Sequence, residues 1–75
     1  MMSIEELKQK YGKYIDDIFQ SAFEDRITGE KLYFCYLKDG YTTLGDWTSI
    51  DNEPLEVIEF YLKDVKHYYE EVLGF

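Results

Sequence analysis

Seven carboxylates stand against two lysines in residues 50–75, on a segment whose apolar side chains repeat like one face of a helix. The chemistry such a row offers is electrostatic. Aligned carboxylates imitate the phosphates of a nucleic acid and attract a basic surface, and interspersed tyrosines add flat contact area for a groove that normally accepts bases. Groups suited to covalent chemistry are scarcer. His67 is the only histidine, and on a helix it neighbours Lys63, Asp64, Glu70 and Glu71, so it reads as a solvated side chain beside a carboxylate. Cys35 sits inside an apolar run with nothing nearby to generate a thiolate, which makes it an inert core residue. Ser3 is a cap, and Ser21 and Ser49 lack the G-x-S-x-G context of a nucleophile. The adjacent pairs Asp16-Asp17, Glu24-Asp25 and Glu70-Glu71 point in different directions on a helix and do not converge on a metal. EF-hand, P-loop and dinucleotide-binding glycine patterns are missing from the sequence. The chain reads as non-enzymatic, with no catalytic residue, cofactor or metal expected.

Composition bounds what remains. A length of 75 residues makes one domain, 1–75. With 45% apolar and 19% aromatic residues, it is too rich for a disordered segment despite a net charge of −8, so it folds. A lone cysteine allows no internal disulfide, and one Cys with one His makes no structural zinc site. Small unstapled domains often gain stability by pairing, so a homodimer is one expectation. Residues 1–6 carry neither a basic start nor an apolar stretch. The longest apolar run, 32–37, is six residues, against the roughly 20 needed to span a bilayer. A cytoplasmic protein without membrane contact is expected, and its acidity disfavours direct binding to nucleic acid.

Four elements would position these side chains. Ser3 with Glu6 forms a capping box at a helix start. The apolar residues Ile4, Leu7, Tyr11, Tyr14, Ile15, Ile18, Phe19 and Ala22, spaced by three and four, predict one long amphipathic helix. Gly12 interrupts it at a cost of about 1 kcal/mol, and Gly29 closes it. Residues 31–38 predict an aromatic-rich strand. Asp39-Gly40 fits a type I′ turn, which would return 41–48 alongside it, with Gly45 and Asp46 marking a bulge or an early end. A last helix starts at Asp51 or Asn52, carries Pro54 in its first turn, and runs through Leu55, Ile58, Leu62, Val65, Tyr69 and Val72 to Gly74. The fold class expected is α+β in the order αββα, a helix-hairpin-helix chain with two amphipathic helices packed on a small antiparallel sheet. A short third strand at 26–28 is a variant of it.

On the wheel of the last helix, Val57, Tyr61 and Tyr68 flank the core arc, while Phe60 falls among Glu56, Lys63, Asp64 and His67. This flank is either a second buried side or an intermolecular surface. Glu59 pairs with Lys63 and Lys66 with Glu70, and the helix dipole accounts for Asp51, Glu53 and Glu56. Asp64, Glu70 and Glu71 keep no such reason. Trp47, as the largest side chain, is expected to plug the core; exposed, it would become the leading contact residue. The partner-binding strip read from the sequence is therefore Glu56, Glu59, Phe60, Asp64, Tyr68, Glu70 and Glu71 with Trp47. Its expected partner is a protein with a basic surface, which the chain would inhibit or regulate. A homodimeric assembly module and an enzyme are the alternatives.

Overall fold

The structure is a computed structural model and describes residues 3–74. The chain runs through α1 (Ile4–Tyr11), β1 (Ile15–Glu24), β2 (Lys31–Leu37), β3 (Ser49–Glu53) and α2 (Leu55–His67), and α2 continues into a wider π-helical turn, Tyr68–Val72. The three strands form one antiparallel sheet in the order β1-β2-β3. The order is thus αβββα. This corrects the expected αββα: the α+β mixture remains, but a strand stands where the first helix was expected to continue.

Helix α1 starts as its sequence dictates. The Ser3 hydroxyl accepts from the Glu6 N–H, and the Glu6 carboxylate accepts in return from the Ser3 N–H. It stops at Tyr11 because of Gly12, whose backbone lies so close to the Lys8 carbonyl that a Cβ would collide with it. Beyond that turn, Ile15, Ile18, Phe19 and Phe23 are β-branched or aromatic and suit a pleated surface. Their spacing imitates a helix because β1 is irregular. Register shifts between Ile15 and Asp17 and between Gln20 and Glu24 insert extra residues, so Ile15, Ile18 and Ser21 are buried at every third position instead of every second.

The expected hairpin is also corrected. A turn does form at Asp39-Gly40, with the Tyr41 N–H donating to the Lys38 carbonyl, but only Gly40, at φ +92°, and not Asp39 has the positive φ that a type I′ turn requires of both. Nor does the turn join paired strands. Residues 38–48 form a loop, and the partner of β2 is Ser49–Glu53, with Ile50 opposite Cys35 and Ser49 opposite Tyr36. Asp51 and Asn52 consequently lie in β3 and do not cap α2, which begins after Pro54. Residues 26–28 form the β1–β2 turn, not a third strand; the Asp25 carboxylate accepts from the Ile27 and Thr28 N–H groups there.

The helices cover one face of the sheet. Leu55, Ile58, Leu62, Val65 and Tyr69 pack with Leu7 and Tyr11 of α1 against Ile15, Ile18, Cys35, Leu37 and Ile50. Cys35 is fully buried, and loss of hydration pushes its thiol up to about 12, so it packs as a small apolar group.

Candidate binding surface

Trp47 lies outside the core, 68% exposed, which corrects the expectation that it plugs the fold. Strand pairing resumes only at Ser49, so Trp47 belongs to the loop, and the interior is filled by α2 aliphatics and by Tyr11 and Tyr14. The loop nevertheless holds it firmly. Thr43 is buried; its N–H donates to the Trp47 carbonyl at 2.9 Å, and its hydroxyl accepts from the Trp47 N–H at 3.2 Å. Gly45 lies directly against the indole, where a Cβ would sit 2.8 Å from Cδ1 and 2.9 Å from Nε1. The loop is itself tied to the body of the domain. The Thr42 N–H donates to the Tyr69 hydroxyl at 3.0 Å, and the Tyr41 ring stands edge-on to Tyr14 and Tyr69 with centroids 4.9 and 4.8 Å apart.

Trp47 shares a groove of about 310 Å³ with Tyr61 of α2. Asp51 and Glu53 of β3 line it as well, together with Thr43, Ser49 and Ile50. Carboxylates that the helix dipole was expected to explain thus lie beside two aromatic rings. The Phe60 ring, 64% exposed, sits 6.2 Å from that of Tyr61 and extends the aromatic strip outward. Glu56 and Asp64 lie one turn to either side of Phe60 on α2, Glu56 exposed and Asp64 half-buried. The flank of α2 is therefore divided: Val57 and Tyr68 are half-buried, with Tyr68 edge-on to Tyr69, while Phe60 and Tyr61 face outward.

The remaining carboxylates of α2 have other duties. Glu59 is half-buried, and its charge, after the larger effect of lost hydration, raises the Tyr11 pKa. The Tyr11 hydroxyl is buried and lacks a hydrogen-bond partner among the described residues. A Glu71 carboxylate oxygen lies 2.6 Å from His67 Nδ1, one turn away, with both side chains exposed. Glu70 accepts from Lys66 Nζ at 3.3 Å and from the Tyr14 hydroxyl, which comes from 56 residues away. The sequence could not supply that last partner. Glu70 is thereby tied into the fold, whereas Glu71 touches only the exposed His67 and Asp64 is tied to neither.

The Tyr14–Glu70 contact sets a pH dependence. The Tyr14 hydroxyl, followed by Lys66, holds the Glu70 carboxyl below the usual carboxylate range; burial, followed by Glu70, pushes the Tyr14 phenol up to about 12. Glu70's contribution to stability is complete above the unfolded glutamate pKa and is lost as pH falls through its depressed folded value. Tyr14's is complete below about 10 and is lost as pH rises toward 12. Denaturant unfolding across pH should show both flanks, and Tyr14→Phe should reduce the alkaline one, to which Cys35 and Tyr11 also contribute, and weaken the acid one. An unchanged profile in that variant would refute the assignment.

One surface escaped the sequence reading. On the sheet face turned away from the helices, Phe19, Phe34 and Tyr36 stack with centroids 5.5, 5.9 and 6.4 Å apart, and Phe19 and Tyr36 are 41% and 40% exposed. Placing Phe19 on a helix hid this cluster. The signal was nonetheless present in Leu32, Phe34 and Tyr36, the second apolar face of a strand that needs only one for the core.

Among the described residues, no group of three or more His, Cys, Asp or Glu side chains is placed to hold a metal ion, and no helix is long and apolar enough to cross a membrane. Comparison with protein-family models, with curated proteins and with solved structures gives no match to this chain.

Proposed function

We propose that this chain is a non-enzymatic binding protein that inhibits or regulates a protein with a basic surface. The observation that carries this reading is the held, exposed Trp47, continuous with Tyr61 and Phe60 on a strip that bears Asp51, Glu53, Glu56 and Asp64. Aromatic anchors encircled by charge supply the energy of most protein contacts, while complementary potential steers the encounter. A net charge of −8 adds long-range attraction for a cationic target. The target class that fits best is a protein whose own ligand is a nucleic acid, because its groove already selects negative charge and flat rings.

Capture from a cell lysate with the immobilised chain tests this reading. Partners should be retained at about 0.05 M salt, released near 0.5 M, and lost when Glu56 and Asp64 are both changed to Lys. Partners insensitive to salt and to charge reversal would refute it. Glu70 is unsuitable for this purpose, since reversing it would disturb Tyr14 and Lys66 inside the fold.

The Phe19–Phe34–Tyr36 face favours a second reading, in which two copies pair sheet against sheet. Salt separates the two readings by sign. Screening weakens the attraction between an acidic chain and a basic partner, but it relieves the repulsion between two chains of charge −8. Sedimentation that shows a dimer growing with salt, and abolished by Phe34→Glu, would support pairing; a monomer at high concentration in high salt would rule it out.

A further inference from the structure

We infer that the groove between Trp47 and Tyr61 receives an arginine side chain of the basic partner. This rests on the function proposed above and narrows it to one chemistry. Two aromatic residues and the carboxylates of Asp51 and Glu53 line the groove, and no lysine or arginine does. Its volume, about 310 Å³, is at the small end of the roughly 300–1,000 Å³ range of ligand pockets, suited to one long side chain and its immediate neighbours.

Guanidinium satisfies both kinds of wall. It is planar, permanently charged and weakly hydrated, so its face stacks on an aromatic ring while its edge donates to a carboxylate. An ammonium is a strongly hydrated point charge that gains less from the rings, and an apolar side chain would bury the carboxylates without a partner. The site is also formed before the ligand arrives. Thr43 fixes the Trp47 backbone, Gly45 seats the indole, and Tyr69 holds the loop through Thr42, so little ordering remains to be done on binding. Contact comes through a side chain and not through an added strand. The outer edge of β3 is short, with Asn52 at φ +53° and a register shift that interrupt the regular ladder an incoming strand would need.

Trp47 is the only tryptophan, so its emission reports on this groove alone. The probe is a labelled, end-capped tetra-arginine peptide, titrated at low salt and followed by label anisotropy and by Trp47 emission, with a tetra-lysine peptide of the same design in parallel. The arginine peptide should bind, perturb Trp47 emission, and bind more tightly than the lysine peptide. Its affinity should fall about tenfold or more in Tyr61→Ala and in the Asp51→Asn, Glu53→Gln double variant. Circular dichroism of each variant should match that of the parent. Binding that leaves Trp47 emission and both variants' affinities unchanged would overturn the inference while leaving the acidic binding protein intact. Equal affinity for the lysine peptide, or no binding of the arginine peptide, would overturn it as well; the lysate capture decides the broader reading separately.

Discussion

Replacing Leu62 with alanine is expected to cost the domain about 2–5 kcal/mol of folding stability. Leu62 is completely buried at the centre of α2, one turn from the equally buried Ile58 and beside Val65, where the helix presses on α1 and the sheet at once. Truncation removes the transfer energy of the lost methyl and methylene groups and leaves a cavity walled by secondary structure, which collapses only in part. The expected loss is large against the total, because a domain of this length holds on the order of 4–11 kcal/mol. Denaturant unfolding should show a lower midpoint with an unchanged slope. A loss below about 1 kcal/mol would mean that α2 does not seat its apolar stripe in the way described.

The second large effect should leave stability untouched. Trp47→Ala is expected to weaken binding of the captured basic partner about 30-fold or more, the equivalent of about 2 kcal/mol, while the melting temperature stays unchanged. Both halves follow from the same observation: the indole is 68% exposed, so folding gains little from it and an incoming surface can gain much. Titration calorimetry on the parent and the variant measures the first half, and thermal unfolding the second. Gly45→Ala provides a finer version, since a Cβ there must displace the indole without removing it. An affinity that survives Trp47→Ala would remove Trp47 from the contact surface, and a melting temperature that drops by several degrees would refute its independence from the fold.

The elements that were legible are those whose signals are local. The capping box at Ser3, the strand at β2 and the apolar stripe of α2 each occupy a few consecutive turns or residues, and they stand in the fold where the sequence puts them, except that Val72, expected in the stripe, is exposed at the end of the π-helical turn. Strand β1 was not legible. Its irregular register gave Ile15, Ile18 and Ser21 a spacing of three, which is the mark of a helix, and only the backbone of β2 alongside reveals it as a strand. The Asp39-Gly40 turn shows the same limit in another form. A turn forms there, but only Gly40 and not Asp39 takes a positive φ, so it is not the type I′ turn that pairs strands; Ser49–Glu53 completes the sheet in place of 41–48 and sets Ile50 against Cys35 in the core.

The candidate surface was affected by the same division. Phe60 and Asp64 were on it from the start, because the helical wheel of α2 requires no other part of the chain. Asp51 and Glu53 joined it only because β3 extends further than expected, bringing them beside Trp47 and Tyr61. Glu70 is bonded within the fold by Tyr14, from the far end of the sequence, a partner no local pattern could supply.

By itself the sequence determined an acidic, aromatic-rich α+β domain, most of the stripe of α2 that faces the core, and the place of Phe60 on the charged side of the α2 wheel; that its ring is exposed came from the structure. Composition and periodicity are properties of neighbouring residues, and they persist whatever the rest of the chain does. The tertiary structure alone decided that β1 is a strand, that Trp47 stands in solvent, and that Glu70 is bonded to Tyr14 while Asp51 and Glu53 line a groove with Trp47 and Tyr61. Those outcomes depend on pairings between residues tens of positions apart, where burial and strand register choose among several locally acceptable conformations.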